Sequence, residues 1–400
     1  MPNLSLRFAD GDCVRVEARS GETVLAAARR AGVPLSSDCE VGDCQTCRAT
    51  RLGGDLDYED GSSVSLSQDE IDAGEMLPCV AIARNDLEIR LPYERGKLIP
   101  AKPFSMKLGS IERLSTSVVR VVAQTLGLSP IRFLPGQYVN LQVPGTTQWR
   151  SYSMANSPSD DRALEFLVRL IDDGAMSRYL SSQAAAGDII QCRGPQGVFY
   201  LRSSGRPVLM VAGGTGVAPM VSMLRQMNAP AEKRKVTLCF GVNSASDLFF
   251  LDELHALAEA MPELDLRISV AHGLSPPDIN QGLVTDLIKD RSLVGHDVYL
   301  CGPPAMADSA RRVAIELGAA PDNIIAERFV ATGAPDVEAE HGTEEIELEA
   351  FDPADRNAEV TGKRSIDARA GRRHAHPFAG VGEVLADRGR RQDGSPFAQL

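Results

Sequence analysis

The residues best suited to chemistry are four cysteines. Three lie in Cys39-Glu-Val-Gly-Asp-Cys44-Gln-Thr-Cys47, and the fourth, Cys79, stands farther along the chain. The spacing C-x4-C-x2-C…C is that with which four thiolates hold the two irons of a plant-type [2Fe–2S] cluster. A loop presenting three sulfurs inward must curl tightly, and Gly42 permits a backbone turn that other residues resist. The N–H groups that such a loop frees can point at the cluster and offset its negative charge. Two other readings stay open on the cysteines alone. Structural zinc prefers two C-x2–4-C knuckles, of which one is present. A disulfide pair belongs to exported chains, and Met-Pro-Asn-Leu-Ser-Leu-Arg-Phe at the N-terminus has neither a long apolar stretch nor a cleavage site. The remaining cysteines, Cys13, Cys192, Cys239 and Cys301, are scattered singly, as reduced buried thiols are.

Further along, Arg150-Ser151-Tyr152-Ser153 gathers a fork for a pyrophosphate, an aromatic face and a hydroxyl. By itself the tetrapeptide could be ordinary strand. Gly174-Ala-Met-Ser177 opens a helical stretch, and a helix N-terminus is a ready anion site. Gly213-Gly214-Thr215-Gly216 joins an apolar strand to a helix start, with Pro219 where a G-x-G-x-x-G fingerprint would place its third glycine. The glycines let a phosphate approach the backbone, and proline suits a first helical turn. Cys301-Gly302-Pro303-Pro304-x-Met306 ends a later strand; Cys301 alone would read as a buried structural thiol, and Phe329 alone as a core side chain.

The elements that must hold these residues follow from periodicity. Leu4–Phe8 and Val14–Ala18 alternate around Asp10-Gly11 and predict a hairpin, followed by a helix from Thr23 to Ala31 stopped by Gly32 and Pro34. A strand is expected at Leu87–Leu91, then a linker from Pro92 to Pro103. Short strands at Val118–Ala123, Tyr138–Val143, Leu164–Leu170, Asp188–Cys192 and Val198–Leu201, interrupted by a helix at Ala175–Ala186, predict a small antiparallel barrel with Arg150 just after one strand. From Pro207 the pattern becomes strand then helix: strands at Val208–Val211, Val236–Phe240, Leu266–Val270 and Val298–Leu300, helices at Ala218–Met227, Leu248–Ala260, Leu283–Lys289 and Ala305–Leu317. Such alternation predicts a doubly wound parallel sheet.

Composition bounds the partners. The chain has 400 residues, 43% of them hydrophobic, and a formal charge of −12, which argues against nucleic acid. No apolar run is long enough for a membrane span, so a cytoplasmic protein with no membrane partner is expected. Residues 1–96 hold 18 Asp and Glu against 10 Lys and Arg, a net of −8, which can steer a basic redox partner or merely keep the surface soluble.

Taken in order, these motifs resemble the benzoate/anthranilate dioxygenase reductases over residues 1 to about 330. The cysteine loop is similar to their ferredoxin module, with Cys39, Cys44, Cys47 and Cys79 as cluster ligands. It departs at Gln45, where the family more often has a small residue, and at Asp43, which brings a negative charge that should make reduction harder. The resemblance implies a multidomain fold: a β-grasp ferredoxin (residues 1–96), an antiparallel β-barrel FAD domain (103–205), a doubly wound α/β NAD domain (206–330) and a tail of low order (331–400). It implies FAD held by Arg150, Tyr152, Ser153, Arg169, Gly174 and Ser177, and NADH held by Gly213, Gly214, Thr215, Gly216, Cys301, Gly302 and Pro303. Gly194-Pro-Gln-Gly197 departs from the family's Gly-Pro-Phe-Gly at Gln196. The ribose would be read near Asn243 and Asp247, where no cation awaits a 2′-phosphate, and this favours NADH over NADPH. Glu327-Arg328-Phe329 looks like the family's terminal motif following the last strand; Phe329 would cover the flavin ring, and Ser153, Cys301 and Glu327 would surround the hydride path.

The implied function is electron transfer from NADH through FAD and the cluster to a terminal oxygenase component, of an aromatic-ring dioxygenase first and of a diiron phenol- or methane-type monooxygenase second. A non-enzymatic redox sensor is the reading from a different class. Residues 336–359 hold ten acids and one base, residues 363–391 eight bases and three acids, so the tail is expected to stay unpacked and dispensable for hydride transfer. A direct check of the cluster is Cys44→Ser, which replaces a soft thiolate by a poor iron ligand. It is expected to abolish the EPR signal of the reduced cluster and leave NADH–ferricyanide activity largely intact; loss of that activity with FAD still bound would overturn the order of transfer.

Overall fold

The computed structural model describes residues 1–329 apart from 60, 128–129, 160–161 and 230–232, so the expected tail lies outside the described residues. The hairpin forms around Asp10-Gly11 from β1 (Asn3–Arg7) and β2 (Cys13–Glu17). α1 (Val24–Arg30) begins where the Thr23 hydroxyl accepts from Ala26 N–H at 3.2 Å, and ends before Gly32, whose φ is +70°. Five short elements follow the cysteine loop: β3 (Ala49–Gly53), β4 (Leu56–Tyr58), α2 (Gln68–Asp72), β5 (Glu75–Met76) and β6 (Ala81–Ala83). With β7 (Leu87–Arg90) they give a sheet in the order β2-β1-β7-β3-β5, β1 and β7 running parallel, and a separate β4–β6 pair. Leu4, Leu6, Ile89 and the Ala27–Ala28 face of α1 make its core.

The expected linker is anchored in the first core by Tyr93 and Leu98. Tyr93 is fully buried in the first core, edge-on to Phe8, and its hydroxyl accepts from Ser36 N–H at 3.1 Å. A strand begins before the expected linker ends: β8 (Lys102–Arg113) leads into β9 (Val118–Thr125), β10 (Tyr138–Gln142), β11 (Trp149–Ser153), β12 (Ala163–Arg169), α3 (Ala175–Ser182) and β13 (Ile189–Gln196). Their antiparallel order is β11-β10-β13-β8-β9-β12, and a bridge between Met154 and Phe166 joins the two edges into a nearly closed barrel. Arg150 is therefore inside a strand and not after one.

The third region is parallel throughout: β14 (Val208–Gly213), α4 (Val217–Met227), β15 (Val236–Val242), α5 (Leu251–Ala260), β16 (Leu264–Val270), β17 (Asn280–Gln281), β18 (Asp297–Gly302), α6 (Pro304–Glu316) and β19 (Ile324–Arg328). The order β17-β16-β15-β14-β18-β19 reverses between β14 and β18, and a doubly wound sheet binds its ligand at that crevice. Glu327 and Arg328 lie within β19 and do not follow it. The helix expected at Leu283–Lys289 is a single five-residue 3-10 turn, Val284–Ile288. Its buried Val284, Leu287 and Ile288 supply the helical spacing, while the Asp286 carboxylate accepts from Leu283 N–H at 2.9 Å and confines the turn. No helix among the described residues is long and apolar enough to cross a membrane.

Val198–Leu201, expected as a strand, pairs with none. Its alternation is real but serves two cores: Val198 and Tyr200 pack into the first region, Phe199 and Leu201 into the third. The segment is an apolar wedge between domains. Phe199 is 2% exposed and edge-on to Tyr299 at 5.7 Å. Phe199→Ala is expected to cost about 3–5 kcal/mol and to lower the urea midpoint followed by circular dichroism; an unchanged midpoint would remove the wedge from the account.

Candidate electron-transfer site

The cysteine loop is built by unusual backbone. Glu40, Gln45 and Gly42 have φ of +58°, +57° and +89°, and a Cβ at Gly42 would run into the carbonyl oxygen of Ser63. The curl sets the sulfurs in two pairs. Cys39 and Cys44 exchange N–H···S bonds of 3.5 and 3.3 Å, and the Cys47 and Cys79 sulfurs are 3.3 Å apart. Among the described residues no three His, Cys, Asp or Glu side chains converge as a single ion requires. Two thiol pairs are what two irons need, each taking two thiolates, so the donor set fits a [2Fe–2S] cluster better than zinc. Backbone N–H groups of Val41, Asp43 and Cys44 point at the Cys39 sulfur, and that of Gly42 at Cys79. The Cys44 thiol, and then these amides, draw the Cys39 thiol below its usual range against the loss of hydration, toward the thiolate a metal takes.

The loop faces the barrel and β19 together. Asp38, just before Cys39, accepts from Tyr138 Oη at 2.7 Å, Asn140 Nδ2 at 2.8 Å and Gln196 Nε2 at 3.3 Å. Arg328 donates to Gln45 Oε1 at 2.7 Å, Glu70 Oε1 at 3.0 Å and Asp308 Oδ1 at 2.6 Å. Neither set is among the site residues read from the sequence. The available signal was position alone, Asp38 and Gln45 each adjoining a cysteine.

On the barrel, Tyr152 stands edge-on to Phe166, and burial pushes its phenol well above the usual range. Arg150 donates to Trp149 O at 2.8 Å and Gln148 Oε1 at 2.9 Å, and shares no hydrogen bond with the start of α3. Gly174 caps α3 without a side-chain bond, and a Cβ there would press on Ile171 and on Ser177 Oγ at 2.8 Å. Ser177 Oγ accepts from Ile171 N–H at 2.9 Å, which closes the loop beneath the helix start. Arg169 ends β12 exposed to solvent. A bare helix N-terminus with a glycine cradle fits a diphosphate, the group that distinguishes FAD from FMN.

At the strand reversal two glycine junctions touch through their backbones. A Cβ on Gly216 would strike the Cys301 carbonyl, and one on Gly213 would meet Met306 Sδ at 2.5 Å and Pro303 at 3.0 Å. Gly214 has φ +55°, Gly302 has φ +151°, and Thr215 lies in the short turn between strand and helix. Cys301 is fully buried between Ala212 and Glu327 in register. Phe329 donates its N–H to Gly302 O at 3.0 Å and is 39% exposed. Asn243 lies exposed after β15, whereas the Asp247 carboxylate is occupied, accepting from Ser244 Oγ at 2.7 Å and Ser117 Oγ at 3.3 Å. Ser153 and Glu327 are brought together, Oγ to Oε2 at 3.4 Å, with Cys301 as the neighbour of Glu327 on the adjacent strand.

Three protein-family models match consecutive stretches: the 2Fe-2S iron-sulfur cluster binding domain over residues 8–84, the oxidoreductase FAD-binding domain over 105–200 and the oxidoreductase NAD-binding domain over 210–312. The toluate 1,2-dioxygenase electron transfer component of Pseudomonas putida is 35% identical over 331 residues, which is 81% of this chain and 97% of its own. The chain belongs to the family of dioxygenase reductases. The 2-halobenzoate 1,2-dioxygenase electron transfer component of Burkholderia cepacia is likewise 35% identical, covering 82% of this chain and 98% of its own. Among solved structures, the Amycolatopsis cytochrome P450 reductase GcoB aligns at 31% identity with a TM-score of 0.63, over 82% of this chain and 98% of that one. The reductase is thus an NADH-dependent iron–sulfur flavoprotein oxidoreductase with [2Fe–2S], FAD and NAD as its cofactors.

Among the described carboxyls, Glu327 is the most perturbed. Loss of hydration lifts this carboxyl to about 8, with the Asp38 charge adding and the Ser153 bond opposing. The same burial, with Glu327 beside it, keeps the Cys301 thiol protonated. Near neutral pH the raised carboxyl is thus held largely protonated and can donate as well as accept. The folded chain holds a proton that the unfolded chain releases at ordinary carboxylate pH, so this group's contribution to stability falls as pH rises from that range through 8. NADH–ferricyanide turnover is expected to step down as pH passes about 8. Glu327→Gln, which cannot titrate, is expected to lose that step; a step retained in Glu327→Gln would assign it to another group.

Proposed function

We propose that this chain is the cytoplasmic NADH-oxidising reductase component of an aromatic-ring-hydroxylating dioxygenase, with a terminal oxygenase as its protein partner. The observation that carries the reading is the docking of the cysteine loop on the strand beside Ser153, through Asp38 and Tyr138. An electron donor site and an electron acceptor site are thereby built as one surface. The relatives named for toluate and halobenzoate dioxygenases support an aromatic-ring oxygenase as partner. We divide the chain into a ferredoxin domain (1–96), an FAD domain (103–205), an NAD domain (206–330) and a further segment (331–400).

When bound, the three cofactors would supply hydride donation, hydride acceptance and the division of the electron pair into single electrons. The protein's part is positional. Arg150 and the α3 start at Gly174 and Ser177 hold the pyrophosphate, with Arg169 on the adenylate side. Tyr152 and Ser153 line the ring. Gly213, Gly214, Thr215 and Gly216 admit the dinucleotide against Gly302 and Pro303, and Asn243 and Asp247 border its ribose. Ser153, Cys301 and Glu327 would present hydroxyl, thiol and carboxyl at the hydride path, and Phe329 would cover it.

Mixing the holoenzyme and NADH with a purified ring-hydroxylating dioxygenase tests the assignment. Hydroxylated product in proportion to NADH consumed is expected. Turnover restored only with a diiron hydroxylase would transfer the chain to the monooxygenase systems.

A further inference from the structure

One phenol from the barrel grips the cysteine loop at two points. Tyr138 opens β10, is 7% exposed, and places its Oη 2.7 Å from Asp38 Oδ2 and 3.1 Å from Thr46 Oγ1. A carboxylate only accepts, so the single phenol proton goes to Asp38. Thr46 must then supply the proton of the second bond. Asp38 immediately precedes Cys39 and Thr46 immediately precedes Cys47, so one side chain holds the backbone beside a sulfur of each pair. Asn140 and Gln196 complete the shell of Asp38 from β10 and β13, at 2.8 and 3.3 Å.

The other side of Tyr138 leads to the flavin site. It is the register partner of Ser153, whose hydroxyl reaches Glu327, and its ring fills the space where Gly197 lacks a Cβ, 2.8 Å away. The ferredoxin region does not depend on this contact to stay attached. Arg328 holds Gln45 and Glu70, Arg90 meets Asp322 at 2.8 Å, and Arg202 donates to Pro92 O at 2.8 Å. What the phenol adds is direction: short, charge-assisted bonds that fix the loop's orientation on the barrel.

We propose that Tyr138, with Asp38 and Thr46, is a positioning device for internal electron transfer: it sets the cluster loop against the flavin site and so governs the step from flavin to cluster, leaving hydride acceptance untouched. The inference rests on the proposed order NADH, FAD, cluster, each NADH giving two electrons that leave one at a time.

The test uses the holoenzyme and Tyr138→Phe, Asn140→Ala, Thr46→Val and Thr46→Ser. Rapid mixing with NADH resolves flavin reduction from cluster reduction, and amide hydrogen exchange reports the loop over residues 36–48. With FAD and iron content unchanged, Tyr138→Phe and Thr46→Val are expected to keep flavin reduction within about twofold and to slow cluster reduction about 10- to 100-fold, the cost of roughly an ångström of misplacement. Exchange in the loop should rise in both, and Thr46→Ser, which keeps the hydroxyl, should restore both readings. If a loop variant loses iron, Asn140→Ala decides, since it removes a donor to Asp38 from the barrel side. Cluster reduction at the wild-type rate in Tyr138→Phe and Asn140→Ala, or equal slowing of flavin and cluster reduction, overturns the proposal. A wild-type enzyme whose cluster is not reduced by NADH overturns the proposed function instead.

Discussion

A phenol has one proton to give, and in this chain that proton joins two domains. Tyr138 spends it on Asp38 and takes another from Thr46, so a barrel strand becomes the outer wall of the cysteine loop. The contact matters because domains that each own a core default to relative motion unless their interface is large and apolar. Here the apolar part is the wedge at Phe199 and Tyr200, which is adhesive without being directional. Direction comes from the polar contacts at its edge: Tyr138 on one flank of the loop and Arg328 on the other. Removing either leaves adhesion in place and orientation less defined.

Much of this was legible because local chemistry and global fold agree. The cysteine spacing, the Asp10-Gly11 hairpin and the strand–glycine–helix junction at Gly213 each demand one local geometry, and each obtains it. The failures have separate physical causes. β8 was invisible because only Met106 and Leu108 of its twelve residues are fully buried, and a register shift between Leu108 and Ser110 breaks the alternation. β3 to β6 are two to five residues long, too short for a period to show. Val198–Leu201 deceived in the opposite way, since alternation reports two buried faces and says nothing of what buries them. Asp38 and Tyr138 could not be paired from the sequence at all. Their separation of one hundred positions is spanned by a domain boundary, and either residue alone looks like an ordinary turn acid or a strand aromatic.

The departure at Gln45 now has a physical account. A left-handed φ of +57° costs a residue with a side chain about 1–2 kcal/mol, and glycine, with no Cβ, would be the economical choice. Gln45 instead uses its full amide. Nε2 donates to Ser65 O at 2.7 Å, which ties the loop to the segment behind it, and Oε1 accepts from Arg48 at 3.2 Å and Arg328 at 2.7 Å. Guanidinium groups only donate, so the oxygen must face them and the amide has one possible orientation. The strain is thus offset by three bonds, one of which comes from the residue between Glu327 and Phe329. A small side chain at this place could not reach Arg328. In this chain the strand carrying Glu327, whose carboxyl meets Ser153, is fastened to the residue that follows Cys44, so the strand beside Ser153 and the cluster loop are held by the same bond.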